Sequence, residues 1–417
     1  MSRFPGVPAR SRLLTWRTAA AAGVVAVSGV LIAVQSAGIG PIRTVAGSAH
    51  MLKTEPVSAL NGGSPAGLNA GALEPGAGTF PAATVTPSRH PAAKASASSP
   101  AAGSQRVPQS AAAGGFAPYV DATEFPAYNL VTTAQRTGVK QFNLAFIVAG
   151  GGCTPEWGGS QAVGDNPVAA QISALRAIGG DVRISFGGEA GQELALTCGS
   201  ASQLEAAYQQ VISAYHVTKV DFDIEGAALD NSAANALRDQ ALAALQQQDS
   251  GLQISFTVPV IPSGLGSDTV AMLTGAVQAG VRISAVDIMT MDYGDGAAPN
   301  PGGMMGSYAI EAATATDAQV ASVLGISAGA AWPKIAVTPM IGVNDVSDEI
   351  FTLADARQLE AFAASKGLAW LSMWSAGRDI GCAGGAQSSA QPMCSSVTQS
   401  SGAFAAALGA YAAAAGG

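Results

Sequence analysis

The 417-residue chain carries 20 Lys and Arg against 28 Asp and Glu, a formal charge of −8, with 48% hydrophobic residues. That apolar share is enough for a sizeable core in one large domain or two ordinary ones. The net acidity and the lack of a basic face exclude a general nucleic-acid binder and speak against an anionic polymer as substrate.

Arg3, Arg10, Arg12 and Arg17 precede an almost unbroken apolar run over 18–38. A basic stretch before an apolar one is the pattern of an export signal, and this run is close to the roughly 20 residues that span a bilayer. No clean small-x-small cleavage site follows it. Residues 1–38 therefore read as a signal peptide or a signal anchor. The protein is expected to be secreted, or anchored to the outer face of the cell membrane through residues 18–38. Over 39–115 the composition turns to Ala, Pro, Ser, Gly and Thr, which cannot bury enough apolar area to offset ordering entropy. That stretch reads as a disordered linker, and the ordered domain as 116–410.

All four cysteines, Cys153, Cys198, Cys382 and Cys394, fall in that domain at spacings that match no common zinc pattern. After an export signal they suggest two disulfides, most simply Cys153–Cys198 and Cys382–Cys394, although three pairings are open.

Eight short apolar runs follow in order: 117–122, 141–148, 181–188, 219–225, 253–260, 285–293, 334–342 and 368–375. Helical segments lie between most of them. Asn166-Pro167 opens one that closes at Gly179-Gly180. Ser202 to Glu205 reads as a capping box, and Thr352 with Asp355 starts a helix that Gly367 ends. Strands alternating with helices in this number predict an α/β fold, a (β/α)8 TIM barrel. A doubly wound open sheet is the rival, but no GxGxxG follows the first strand.

The stretch KVDFDIE places Asp221, Asp223 and Glu225 on one face of a strand and Val220, Phe222 and Ile224 on the other. In a barrel the aliphatic face packs under the helices, so the acids point inward and upward toward the rim, where barrel chemistry sits. Stacked buried carboxyls titrate as a coupled set, which can leave one of them protonated near neutral pH and ready for general-acid work. Single acids at strand ends more often cap helices, and clustered carboxylates also hold magnesium or calcium. Three in alternate register favour acid–base chemistry, and no metal or cofactor is expected. The three histidines, His50, His90 and His216, leave no triad or zinc site to build, because His50 and His90 lie in the linker and His216 precedes the acidic strand.

At this point the residues resemble glycoside hydrolase family 18, the chitinases, in the style of exported actinobacterial members. DFDIE (221–225) is similar to the second half of the family's DGxDxDxE signature, SFGG (185–188) to its SxGG element, MTMDYG (289–294) to its sixth-strand segment and MWSAGRD (373–379) to its eighth-strand tryptophan motif. The resemblance covers the whole ordered domain. It implies a retaining, substrate-assisted cleavage of β-1,4 bonds between N-acetylglucosamine units, most readily endo-acting, with Glu225 as general acid and Asp223 orienting the substrate's N-acetyl group. Asp221 would share a proton with Asp223, Ser185 would bond that pair, and Tyr293 would hold the acetamido carbonyl. Trp374 would floor the sugar subsite, with Asp292, Met291, Met289 and Gly188 beside it. Trp157 reads either as an extension of that sugar platform or as a surface residue pinned by a disulfide. The implied partners are chitin or N-acetylglucosamine oligosaccharides, met by a monomer.

Two departures stand out. Thr218-Lys219 replace the family's Asp-Gly, a loss expected deepest in the barrel, and Tyr293 follows Asp292 instead of preceding it. The alternatives are a non-hydrolytic, lectin-like barrel, or an endo-β-N-acetylglucosaminidase acting on N-glycans or the cell wall.

Overall fold

A computed structural model describes residues 115–411; the expected signal and linker segments, and His50 and His90 with them, lie outside the described residues. The chain alternates strand and helix eight times. Strand β1 comes in two pieces, Gly115–Phe116 and Tyr119–Asp121. It is followed by β2 (Gln141–Ala149), β3 (Asp181–Gly187), β4 (Lys219–Asp223) and β5 (Gln253–Pro259). The set ends with β6 (Ile283–Met289), β7 (Ile335–Thr338) and β8 (Trp370–Leu371). Every neighbouring pair from β1 to β8 is parallel. Closure falls to β1: its first piece pairs with β8 and its second with β2. Pro118 sits at the break, where a residue without an N–H can be accommodated. Gly115 faces Trp370 in this register, so the first strand starts two residues ahead of the run expected over 117–122.

The helices are α1 (Leu130–Thr137), α2 (Ile172–Ala177), α3 (Ala201–Tyr215) and α4 (Ser232–Gln248). After them come α5 (Ser267–Gln278), α6 (Met305–Leu324), α7 (Leu353–Lys366) and α8 (Ala403–Leu408). Their ends follow the punctuation. Asn166 Oδ1 accepts from the N–H groups of Val168 and Ala169 ahead of α2, and Gly179 takes φ 80° after it. Thr352 and Asp355 form a reciprocal capping box, and Gly367 closes α7 at φ 72°. One cap differs. Ser200, not Ser202, starts α3, because its extended backbone lets its side chain accept from Gln203 N–H, while Ser202 is already inside the helix.

The main core lies between strands and helices. Phe222 of β4 stacks on Phe186 of β3 at 5.2 Å, and Tyr208 of α3 meets both rings edge-on at 5.0 Å. Each such buried aromatic contributes roughly 1.5–3 kcal/mol of transfer free energy, which fixes β3 and β4 against α3. The disulfides form as Cys153–Cys198 and Cys382–Cys394. The first ties the segment after β2 to the loop after β3; the second closes the excursion after β8.

Candidate active site

The period-2 rule holds on β4, and Asp221 and Asp223 both point inside the barrel. Asp221 is fully buried and saturated. Tyr119, Ser185 and Thr257 hydroxyls reach its Oδ2 at 2.9, 2.7 and 2.9 Å, and Ser255 donates to Oδ1 at 2.6 Å. Those four residues come from β1, β3 and β5, so the network ties β4 to both of its neighbours and across the barrel. Ser185 makes the expected bond to Asp221, from a fully buried position outside the cavity; Asp221 meets hydroxyls where a proton shared with Asp223 was expected.

Asp223 is different. Its Oδ1 is buried with no hydrogen-bond partner, and its carboxyl neighbours that of Glu225 at the cavity wall. Burial first, then the charges of Glu225, Asp221 and Asp287, holds the Asp223 carboxyl well above the usual range. Burial, then the neighbouring Glu189 carboxylate, pushes Glu225 up to about 7, against the opposing hydrogen bond from Asp223. Glu225 lies just past β4, before a short helical turn, Gly226–Leu229.

These acids open onto a cavity of about 850 Å³ at the C-terminal ends of the strands. Gly187 and Gly188 permit its shape. A Cβ on Gly187, at φ 97°, would lie 2.1 Å from Asp223 O; one on Gly188, at φ 85°, would lie 2.7 Å from the Phe146 ring. Gly188 lines the wall and donates its N–H to Asp223 O at 3.0 Å. The floor is aromatic. Trp374 stacks on Phe146 at 5.5 Å, with Tyr119 6.0 Å from Trp374. Met289, Met291, Asp292 and Asp345 complete the wall.

Tyr293 does not line this cavity. Asp292 takes φ 51°, turning its own carboxyl toward the cleft. Tyr293 is swung back against Tyr308 of α6, at 6.2 Å, with its hydroxyl buried and unpartnered. Tyr119 is the tyrosine at the wall. Trp157 is fully buried and donates to the Tyr215 hydroxyl at 2.8 Å, so it extends no sugar platform. At the barrel's lower end Thr218 is exposed and faces outward. Lys219 is the inward residue, with Nζ 2.9 Å from Gln141 Oε1 and 3.6 Å from Asp181. The departure from Asp-Gly therefore changes the base of the barrel and leaves the support of Asp221 complete. His216 caps the C-terminus of α3 at that same end.

Sequence reasoning missed four interior residues. Asp287 of β6 is fully buried, accepts from Thr338 at 2.8 Å and from the Trp370 indole at 3.2 Å, and is pushed up to about 7 by burial and then Asp221. Arg183 of β3 is the buried cation below it, 4.0 Å from the Trp370 ring and 2.8 Å from Asn143 Oδ1. Both occupy inward positions by strand parity, a signal that was available. Phe146 gave none, because a register shift between Leu144 and Ile147 reverses its face. Tyr119 lies in the split first strand.

A parallel barrel with a pair of neighbouring carboxyls at its mouth over an aromatic floor is the arrangement of a (β/α)8 glycoside hydrolase. The comparisons agree. The structure is similar to the catalytic domain of a hyperthermophilic chitinase from Pyrococcus furiosus, with 32% identity, a TM-score of 0.65, and coverage of 72% of this chain and 96% of that one. It is similar to catalytic-site mutants of active domain 2 of that organism's thermostable chitinase complexed with chito-oligosaccharides, with 31% identity, a TM-score of 0.65, and coverage of 72% and 95%. In sequence it is 32% identical over 276 residues to a probable bifunctional chitinase/lysozyme of Escherichia coli K12, covering 64% of this chain and 31% of that protein. It is 31% identical over 274 residues to Endochitinase 11 of Metarhizium anisopliae, covering 64% and 52%. The chain thus spans about a third and about half the length of these two curated relatives. No family model matches it. The chain belongs to the family 18 chitinases.

Proposed function

We propose that the barrel cleaves β-1,4 bonds between N-acetylglucosamine units with retention of configuration, the substrate's own N-acetyl group acting as nucleophile. The observation that carries this reading is the Asp223–Glu225 pair: two neighbouring carboxyls at the cavity wall, one Asp223 oxygen buried and unpartnered, with burial raising the proton affinity of both. In the first step Glu225 gives its proton to the glycosidic oxygen as the C1–O bond breaks. The acetamido carbonyl oxygen bonds to C1, and Asp223 accepts the amide N–H, stabilising the oxazolinium ion. Water then attacks C1, losing a proton to the Glu225 carboxylate, and the ring opens to restore the acetamide. Because the substrate supplies the nucleophile, this scheme departs from the usual pair of acid and nucleophile carboxylates. Trp374 over Phe146 offers an apolar face to the sugar's C–H groups. Asp292 and the two methionines border the same space.

Export belongs to this proposal. Two disulfides suit an oxidising compartment, and the basic stretch before the apolar run over 18–38 suits a signal peptide or anchor.

The test is product analysis of the full chain on N-acetylated and fully deacetylated oligomers of equal length. Cleavage of the acetylated series alone, releasing the β-anomer first, is expected. No cleavage, equal cleavage of the deacetylated series, or an initial α-anomer would overturn the proposal.

A further inference from the structure

Asp292 is a non-glycine residue at φ 51° in a loop that carries it to the cavity wall. Left-handed backbone of this kind costs on the order of 1 kcal/mol and persists only where the surroundings fix it. The fixing group comes from another loop. Glu349 is 1% exposed, and its two carboxylate oxygens each accept one N–H from the residues that follow Asp292: Tyr293 at 3.0 Å and Gly294 at 2.7 Å. The exchange is reciprocal, since Asp292 Oδ1 accepts the N–H of Val346, in the Glu349 loop, at 2.8 Å. Glu349's own backbone closes that loop, donating to Val346 O at 2.9 Å and accepting from Asn344 at 3.0 Å. Arg378 then braces its base, with Nη2 on Ile341 O and Val343 O at 3.0 and 2.7 Å.

We infer that Glu349 is a positioning residue for the glycosidase site, locking the loops after β6 and β7 together so that Asp292, held on Val346, stays at the cavity wall. This rests on the proposed hydrolase reading. The carboxylate is specific to the task. Two parallel N–H groups need two acceptor oxygens, and a glutamine there offers one oxygen and one opposing NH2. Glu349 does not line the cavity, so it acts through Asp292.

The experiment is a double-mutant cycle on chito-oligosaccharide hydrolysis, with Glu349→Gln made in the wild type and in Asp292→Asn. A loop released by an ångström can lower turnover by about 10²-fold. A loss of that size in the wild type, falling below about threefold in the Asp292→Asn background, supports the inference, because coupled residues fail to add. Equal factors in both backgrounds, or no loss in the wild type, overturn it. If Glu349→Gln does not fold, Glu349→Asp enters the same cycle. Amide exchange on the unmodified protein gives a second reading: protected Tyr293, Gly294 and Val346 support the clamp, and exchange at open-loop rates overturns it. Should the unmodified protein hydrolyse nothing, the hydrolase reading fails by itself, and the exchange measurement still decides whether the clamp exists.

Discussion

Asp221 and Asp223 sit two residues apart on one strand, both buried, both facing the barrel axis. Asp221 is surrounded by hydroxyls and every lone pair that matters is used. Asp223 has a bare oxygen and a second carboxyl for a neighbour. The lower acid ties neighbouring strands together and the upper one faces the cavity. A buried carboxylate is tolerated when donors surround it; withholding them keeps the group proton-hungry and free to meet a substrate. The fold thus sets the reactivity of two identical side chains by what the neighbouring strands place beside them.

The largest break in this comparison should come at the rim. Glu225→Gln removes the proton donor and should lower kcat by about 10³-fold, with unchanged binding of an uncleaved oligosaccharide. In the wild type, activity should fall as pH rises through about 7, where Glu225 loses its proton. Steady-state rates across pH 4–9 check both. Asp223→Asn should lower kcat by about 10²-fold while the melting temperature holds or rises, because a buried, poorly paired acid is removed.

Asp221→Ala should invert that pattern. Leaving Tyr119, Ser185, Ser255 and Thr257 without their acceptor should destabilise the barrel by about 3 kcal/mol, read by urea unfolding. If Asp221→Ala proved as stable as Asp223→Asn, the contrast between the two acids would fail.

The most gradual effect is a pH slope, small over any single pH unit. Asp287 has a folded pKa raised from 3.8 to about 7, so it contributes stability that is fully present below about pH 4 and lost as pH rises through about 7. Asp287→Asn removes that contribution. The variant should therefore gain on the wild type between pH 4 and 7, by on the order of 1 kcal/mol per pH unit. Parallel stability curves for the two proteins would show that Asp287 is paired more completely than its hydrogen bonds to Thr338 and Trp370 indicate.

Much of this architecture was legible beforehand. Eight apolar runs with helix punctuation between them led to the barrel, and strict alternation in KVDFDIE led to an inward acidic face. Parity also held Arg183 and Asp287 in plain sight, since each is a charged residue at an inward position of a strand. What parity could not deliver was any place where the strand stops being regular. Phe146 faces the cavity because the register shifts beside it, and Tyr293 leaves it because Asp292 is left-handed. Trp157 drew attention as a tryptophan among glycines, yet a strand pairing with Ile147 folds it under α3.

The sequence by itself determined the period, the order and the chemical inventory: which residues form strands, which acids share a face, and which family's motifs they resemble. Those properties are local, because side-chain direction in a strand alternates whatever lies beyond it. The tertiary structure decided what each acid does. Proton affinity depends on donors and charges drawn from other strands, and Asp221 takes its donors from β1, β3 and β5 while Asp292 is held by Glu349, 57 residues along the chain. Contacts at such separations are made only when the barrel closes.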